Sequence, residues 1–149
     1  MRGVSRVLVG YAGGVEQDPT YRNIQDYTES LWIEFNPKQV SYWQVLEMWH
    51  DNDSPWRPEE QQYRSAIFYT SLAQQQEAQN FLQHLRTIEA KRHLGHLGSR
   101  GQRPERQLYV DLEEAMNFYQ AEDYHQDYIS KRQQQQRTSN PKTLAHILE

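Results

Sequence analysis

Cysteine is absent from the 149-residue chain. Its residues therefore exclude thiol catalysis, disulfide staples and metal binding through sulfur. No apolar run approaches the ~20 residues that cross a bilayer, so no membrane partner is expected. The opening MRGVSRVLVG has neither the apolar stretch nor the small-residue cleavage site of a secretory leader, which makes cytoplasmic placement the expectation. Lack of cysteine does not by itself fix a compartment. Acidic and basic residues are interspersed, at a net charge of −4, without a basic stripe or polybasic anchor, so no nucleic-acid partner is expected.

Hydrophobic residues make up 36% of the chain, which is low, but four Trp and ten Tyr can bury large areas while keeping polar tips hydrated. The length suits one domain with an aromatic-rich core. We place that domain at residues 1–132 and read 133–149 as a tail, because Gln133 to Asn140 is low-complexity and too polar to order itself.

Val4 to Tyr11 is apolar and β-branched and runs into Gly13-Gly14, the pattern of a strand with a sharp exit. Glu29 to Phe35 alternates, with Leu31, Ile33 and Phe35 on one face and Trp32 and Glu34 on the other. Ser41 and Gln44 form a capping-box signature ahead of Tyr42, Val45, Leu46 and Trp49 at helical spacing. A third strand is expected from Arg64 to Thr70. Ser71 and Gln74 repeat the capping signature before a longer helix bearing Ala78, Phe81, Leu82, Leu85 and Ile88 on one stripe. A Gly- and Arg-rich stretch from Leu94 to Arg106 breaks the pattern. Leu108, Val110 and Leu112 then predict a fourth strand, and a short helix is expected from Ala121 through Tyr128, with a weak turn at Leu144 to Leu148. This order predicts an α+β sheet with helices packed on it. His93 and His96, with His84 upstream, lack the defined ligand spacing and buried surroundings of a zinc site, so no metal is expected.

Three segments carry further information. They are Val9-Gly10-Tyr11-Ala12-Gly13-Gly14, followed by Asp18-Pro19-Thr20-Tyr21 and Thr28-Glu29; Gln62-Tyr63-Arg64-Ser65-Ala66-Ile67-Phe68-Tyr69; and Phe118-Tyr119 followed by Ala121-Glu122-Asp123-Tyr124-His125-Gln126. In this order they resemble the peptide-methionine sulfoxide reductase A family, over roughly residues 3 to 130. The resemblance implies a ferredoxin-like two-layer sandwich and reduction of the S-epimer of methionine sulfoxide, in proteins and as the free amino acid.

By that resemblance Glu29 is the general acid that protonates the sulfoxide oxygen, kept protonated beside an apolar methyl pocket. Tyr21 and Tyr63 match the tyrosines whose hydroxyls hold the oxide. Asp123 and His125 are assigned to supporting the pocket and the helix start. Taken alone, each has an ordinary alternative: an exposed Glu at a strand start, a Tyr at the edge of the core, an Asp complementing a helix dipole. Pro58 stands about where other branches place an acidic residue, with Glu59 adjacent.

The chief departure is the family's Gly-Cys-Phe-Trp-Gly segment, which ends a preceding strand and opens a helix and has no counterpart here. Trp32, Trp43, Trp49 and Trp56 lie in none of its motifs. No cofactor is expected to be bound, and thioredoxin, the family's reductant, has no disulfide to reduce. The expected fold thus lacks the family's first strand, which is central in the sheet, and its first helix. Backbone groups left unpaired and buried cost ~1 to 3 kcal/mol each, against a net stability of ~5 to 15 kcal/mol. The sheet is therefore expected to close up or to be filled by another chain. The expected account is a reductase whose start is misassigned, so that this chain is inactive or truncated; the alternatives are a module that binds methionine sulfoxide without reducing it and an interaction module that uses its uncovered sheet.

Overall fold

A computed structural model describes residues 2–53, 55–95 and 104–126. The tail at 133–149, the turn at Leu144 to Leu148 and His96 lie outside the described residues. Strand β1 (Val4–Ala12) is followed by β2 (Thr28–Phe35), α1 (Tyr42–Asn52), a 3₁₀ turn (Gln61–Tyr63), β3 (Ala66–Tyr69), α2 (Leu72–Gly95), β4 (Asp111–Glu114) and β5 (Phe118–Gln120).

β1 leaves its sheet at Gly13, whose φ is +79°, a region that disfavours a side chain. A Cβ at Gly13 would also lie 2.6 Å from the Phe68 ring, so β1 and β3 can approach only because none is present. β1 and β2 pair antiparallel from Ala12↔Thr28 to Val4↔Phe35, with an irregularity between Val4 and Arg6. This register buries Leu31 and Ile33, as their alternation requires, while Trp32 turns to the other face and meets Phe118 at 5.5 Å. β5 adds to the free edge of β1 between Gly10 and Ala12, giving the order β2-β1-β5.

α1 begins at the expected capping box. The Gln44 amide N–H donates to Ser41 Oγ, and the Ser41 amide N–H donates to Gln44 Oε1. The second cap differs in one arm: the Gln74 amide N–H donates to Ser71 Oγ, but Gln74 Oε1 accepts from Thr70 rather than from Ser71. α2 carries the chain from β3 to β4, which pair in parallel as a separate two-stranded sheet.

The helices cover one face of both sheets. Leu31 and Ile33 of β2, Ile67 of β3, Val45, Leu46 and Trp49 of α1, and Phe81, Leu82 and Leu85 of α2 form a single buried cluster. On the opposite face Ala12, Ala66 and Phe68 meet Phe118 and Ala115. Side chains thus join the two sheets on both faces, each buried Leu or Phe contributing about 1.5 to 3 kcal/mol, while no backbone ladder runs between β2 and β3. The mixed α and β content with small sheets is that of an α+β domain.

Four local expectations are revised. The strand expected around Leu108 to Leu112 is confined to Asp111–Glu114, because the Tyr109 N–H donates to Pro55 O and takes the preceding segment out of any ladder. β5 was not predicted. Over 121–126 the expected helix is a pair of turns closed by His125 N–H to Glu122 O and Gln126 N–H to Asp123 O, while 127 and 128 lie outside the described residues. On α2 the buried position after Leu85 is Glu89 rather than Ile88, which is 51% exposed.

Candidate active site

Residues from all three quoted segments converge beside the β1–β2 ladder. Cross-strand pairing sets Glu29 directly opposite Tyr11 on one face. Glu29 is half-buried, and its Oε1 accepts from Gln62 Nε2 at 2.6 Å, which ties β2 to the 3₁₀ turn. The seam continues through Thr28, whose hydroxyl donates to Gln61 O and accepts from Arg64 Nε. Arg64 in turn pairs with Asp111 and Glu113 on β4. Tyr63 is thereby held next to Glu29.

The Tyr63 phenol is pushed above its ordinary range by partial burial, then by the charge of Glu29 and by the hydroxyl of Tyr21, with which it shares a hydrogen bond. Tyr21 comes from the connection between β1 and β2, and its ring lies 4.6 Å from that of His125. The Tyr124 ring also lies against His125, tilted, with centroids 4.2 Å apart. His125 Nε2 is buried without a hydrogen-bond partner among the described residues. Three predicted residues, Glu29, Tyr21 and Tyr63, are thus brought together, with His125 against Tyr21. Asp123 is exposed, and the contacts that define the cluster run through Glu122 and His125 on either side of it.

Glu122, Tyr11, Gln62 and Gln126 stand in the quoted segments but received no role there. Tyr11 is 2% exposed and donates its hydroxyl to Glu122 Oε2 at 2.8 Å. Burial, then this bond and the charges of Glu122 and Glu29, keep the Tyr11 phenol protonated well beyond its usual range. Glu122 Oε1 accepts from the Tyr21 backbone N–H at 3.2 Å. Its own backbone N–H, then the Tyr11 hydroxyl, hold its carboxyl below the usual value. Gln126 places its side-chain amide on β1, accepting from Val9 N and donating to Val9 O. No spacing signal marks these residues, since their partners are up to 117 positions away in sequence.

Glu59, next to Pro58, is engaged by Arg57 Nε at 2.5 Å. The separate cleft lined by Arg86, Glu89, Glu105, Arg106, Gln107 and Leu108 contains none of the predicted site residues. His84 packs its ring on Trp43, and no group of potential metal ligands occurs among the described residues.

An α+β domain with a half-buried carboxylate and two hydrogen-bonded phenols on a sheet end is suited to holding a small polar oxygen by neutral donors. A family model described as peptide methionine sulfoxide reductase matches residues 1–147, and the chain belongs to that family. It is 32% identical to the peptide methionine sulfoxide reductase MsrA 2 of Synechocystis sp., over 99% of this chain and 66% of that protein. It is 30% identical to the mitochondrial peptide methionine sulfoxide reductase of Rattus norvegicus, over 88% of this chain and 56% of the relative. The chain therefore spans less than two thirds of the length of these relatives. Mxr1 of Saccharomyces cerevisiae in its reduced form shares the fold, with a TM-score of 0.74 at 21% identity over 97% of this chain and 80% of that one. Methionine sulfoxide reductase A of Corynebacterium diphtheriae is similar at a TM-score of 0.59 and 29% identity, over 88% and 65%. No helix among the described residues is long and apolar enough to cross a membrane.

Proposed function

We propose that these residues form the oxide-holding part of a methionine-S-sulfoxide site, and that the chain binds the sulfoxide without reducing it. The observation that carries this reading is that Tyr63 interacts with the Tyr21 hydroxyl and with the charge of Glu29, while its neighbour Gln62 binds the Glu29 carboxylate. Tyr21 and Tyr63 offer neutral O–H donors to the oxide, and the Glu29 carboxyl stands beside them in the place of the family's general acid. His125 supports the wall formed by the final motif, and the role assigned to Asp123 is to hold the turn from which His125 projects. Reduction requires a nucleophile to attack sulfur, and none of the 149 residues is a cysteine, so no sulfenic acid or disulfide can arise from them. Thioredoxin becomes a partner only where a thiol is supplied.

In fold, this reading takes the domain as a ferredoxin-like sandwich without its central strand and the helix that follows it. The separation of β2 from β3, bridged by side chains on both faces but by no ladder, supports that view. A peptide titration tests the function. A methionine-S-sulfoxide peptide should bind saturably, the R-epimer should bind more weakly, and Glu29→Ala should reduce affinity by about tenfold, the loss of one well-placed polar contact. Absence of binding at millimolar peptide would end the proposal. Thiol-independent turnover by the chain would also overturn it.

A further inference from the structure

We propose that Glu122 is a positioning residue that fixes Tyr21 against His125 and beside Tyr63, and so sets the geometry of the oxide-holding cluster. The inference rests on the reading of Tyr21 and Tyr63 given above, and adds to it the residue that orders them. Tyr21 needs such a partner. Its side chain is 44% exposed, and the bonds that close its connection, Thr20↔Asn23, Val15 N–H to Asp26 and Tyr27 O–H to Glu16 O, leave the Tyr21 N–H itself to Glu122. An exposed aromatic on a connection of that kind samples several rotamers unless something restricts its backbone.

Glu122 supplies the restriction from a rigid base. Its Oε1 takes the Tyr21 N–H, while its Oε2 is held by the hydroxyl of Tyr11, which is rooted in β1 and buried. The Glu122 backbone is fixed as well. Just before it the Ala121 N–H donates to Val9 O at 2.9 Å. Four residues after it the Gln126 amide accepts from Val9 N at 3.0 Å and donates to Val9 O at 2.8 Å, as a further strand would where β5 has ended. A path of hydrogen bonds therefore leads from the sheet through Glu122 to Tyr21. The same carboxylate lies 4.0 Å from His125 Nε2, so both members of the Tyr21–His125 ring contact are referred to one group. Glu122 touches the site through Tyr21, which makes its role distinct from that of Glu29.

Positioning and mere stabilisation are separable by experiment. In the ligand-free chain, NMR cross-peaks between the Tyr21 and His125 rings should be present in wild type and Glu122→Gln. They should be lost in Glu122→Ala and in Glu122→Asp, whose shorter reach keeps the charge, while signals of the Leu31, Ile33 and Trp49 core stay in place. Glu122→Asp keeps the test valid should the alanine variant fail to fold. Titration with a methionine-S-sulfoxide peptide should show affinity reduced about tenfold in Glu122→Ala and largely restored in Glu122→Gln, whose amide oxygen still accepts from Tyr21. Tyr21→Phe should weaken binding in wild type and add nothing on Glu122→Ala. Additive losses, or ring contacts unchanged in both Glu122→Ala and Glu122→Asp, would overturn the proposal. If wild type binds no peptide, the oxide-holding reading fails, and the ring contacts still decide whether Glu122 orders Tyr21.

Discussion

Glu89 and Glu122 each join segments far apart in sequence, but with opposite chemistry. Glu89 is 2% exposed and meets two guanidiniums: Arg92 donates from Nε and Nη2, and Arg106 donates from its backbone N–H and Nη2. Arg106 in turn lies over the Trp56 ring at 4.5 Å. That arrangement is saturated with charge-assisted bonds and anchors the segment before β4 to α2. Glu122 is one-third exposed and is satisfied by a phenol and by backbone N–H groups. A carboxylate compensated by cations closes a structure. One held by neutral donors instead ties the β1–β2 connection to the sheet without adding positive charge beside it.

The comparison predicts a ranked set of effects. Glu89→Ala should cost the most, about 3 kcal/mol in urea denaturation, the low end for breaking a buried pair because both arginines keep access to water. Acid sensitivity should follow the same ranking. The bonds from Arg92 and Arg106 depress the Glu89 carboxyl far below its ordinary 4.5, so its contribution is complete above that value and is lost as pH falls below it. Glu89→Gln should flatten the fall in stability below pH 4.5 more than Glu122→Gln does, although the Glu122 carboxyl is depressed in the same direction. Equal flattening would remove the distinction between the two carboxylates. Tyr11→Phe should cost about 1 kcal/mol in the same denaturation and weaken peptide binding less than Glu122→Ala, since the Tyr21 N–H keeps its acceptor. Ile88→Gln should change stability by less than about 0.5 kcal/mol, because the side chain is already exposed.

The last contrast shows where the sequence was readable. Alternation in β2 and the caps of α1 and α2 are local signals, and each element formed where its pattern lies. Ile88 fits the apolar stripe of α2 by spacing, yet Glu89 is buried beside it, because Arg106 arrives from beyond the helix to neutralise the carboxylate. β5 could not be read for a similar reason. Three residues, Phe118–Gln120, are too short for an alternation signal and become a strand only by pairing with β1. The turns at 121–126 displace an expected helix because Gln126 spends its amide on Val9.

By itself the sequence determined the absence of a sulfur nucleophile, the α+β succession of elements and the three segments that carry Glu29, Tyr21, Tyr63 and His125. These are matters of composition and of spacings within a few residues, which local propensity and periodicity encode. Only the tertiary structure decided that the strands form two sheets, that Glu89 rather than Ile88 enters the interior, and that Glu122 and Tyr11 stand behind Tyr21. Those outcomes depend on partners up to 111 residues apart, whose hydrogen bonds and charges exist only once the chain has folded.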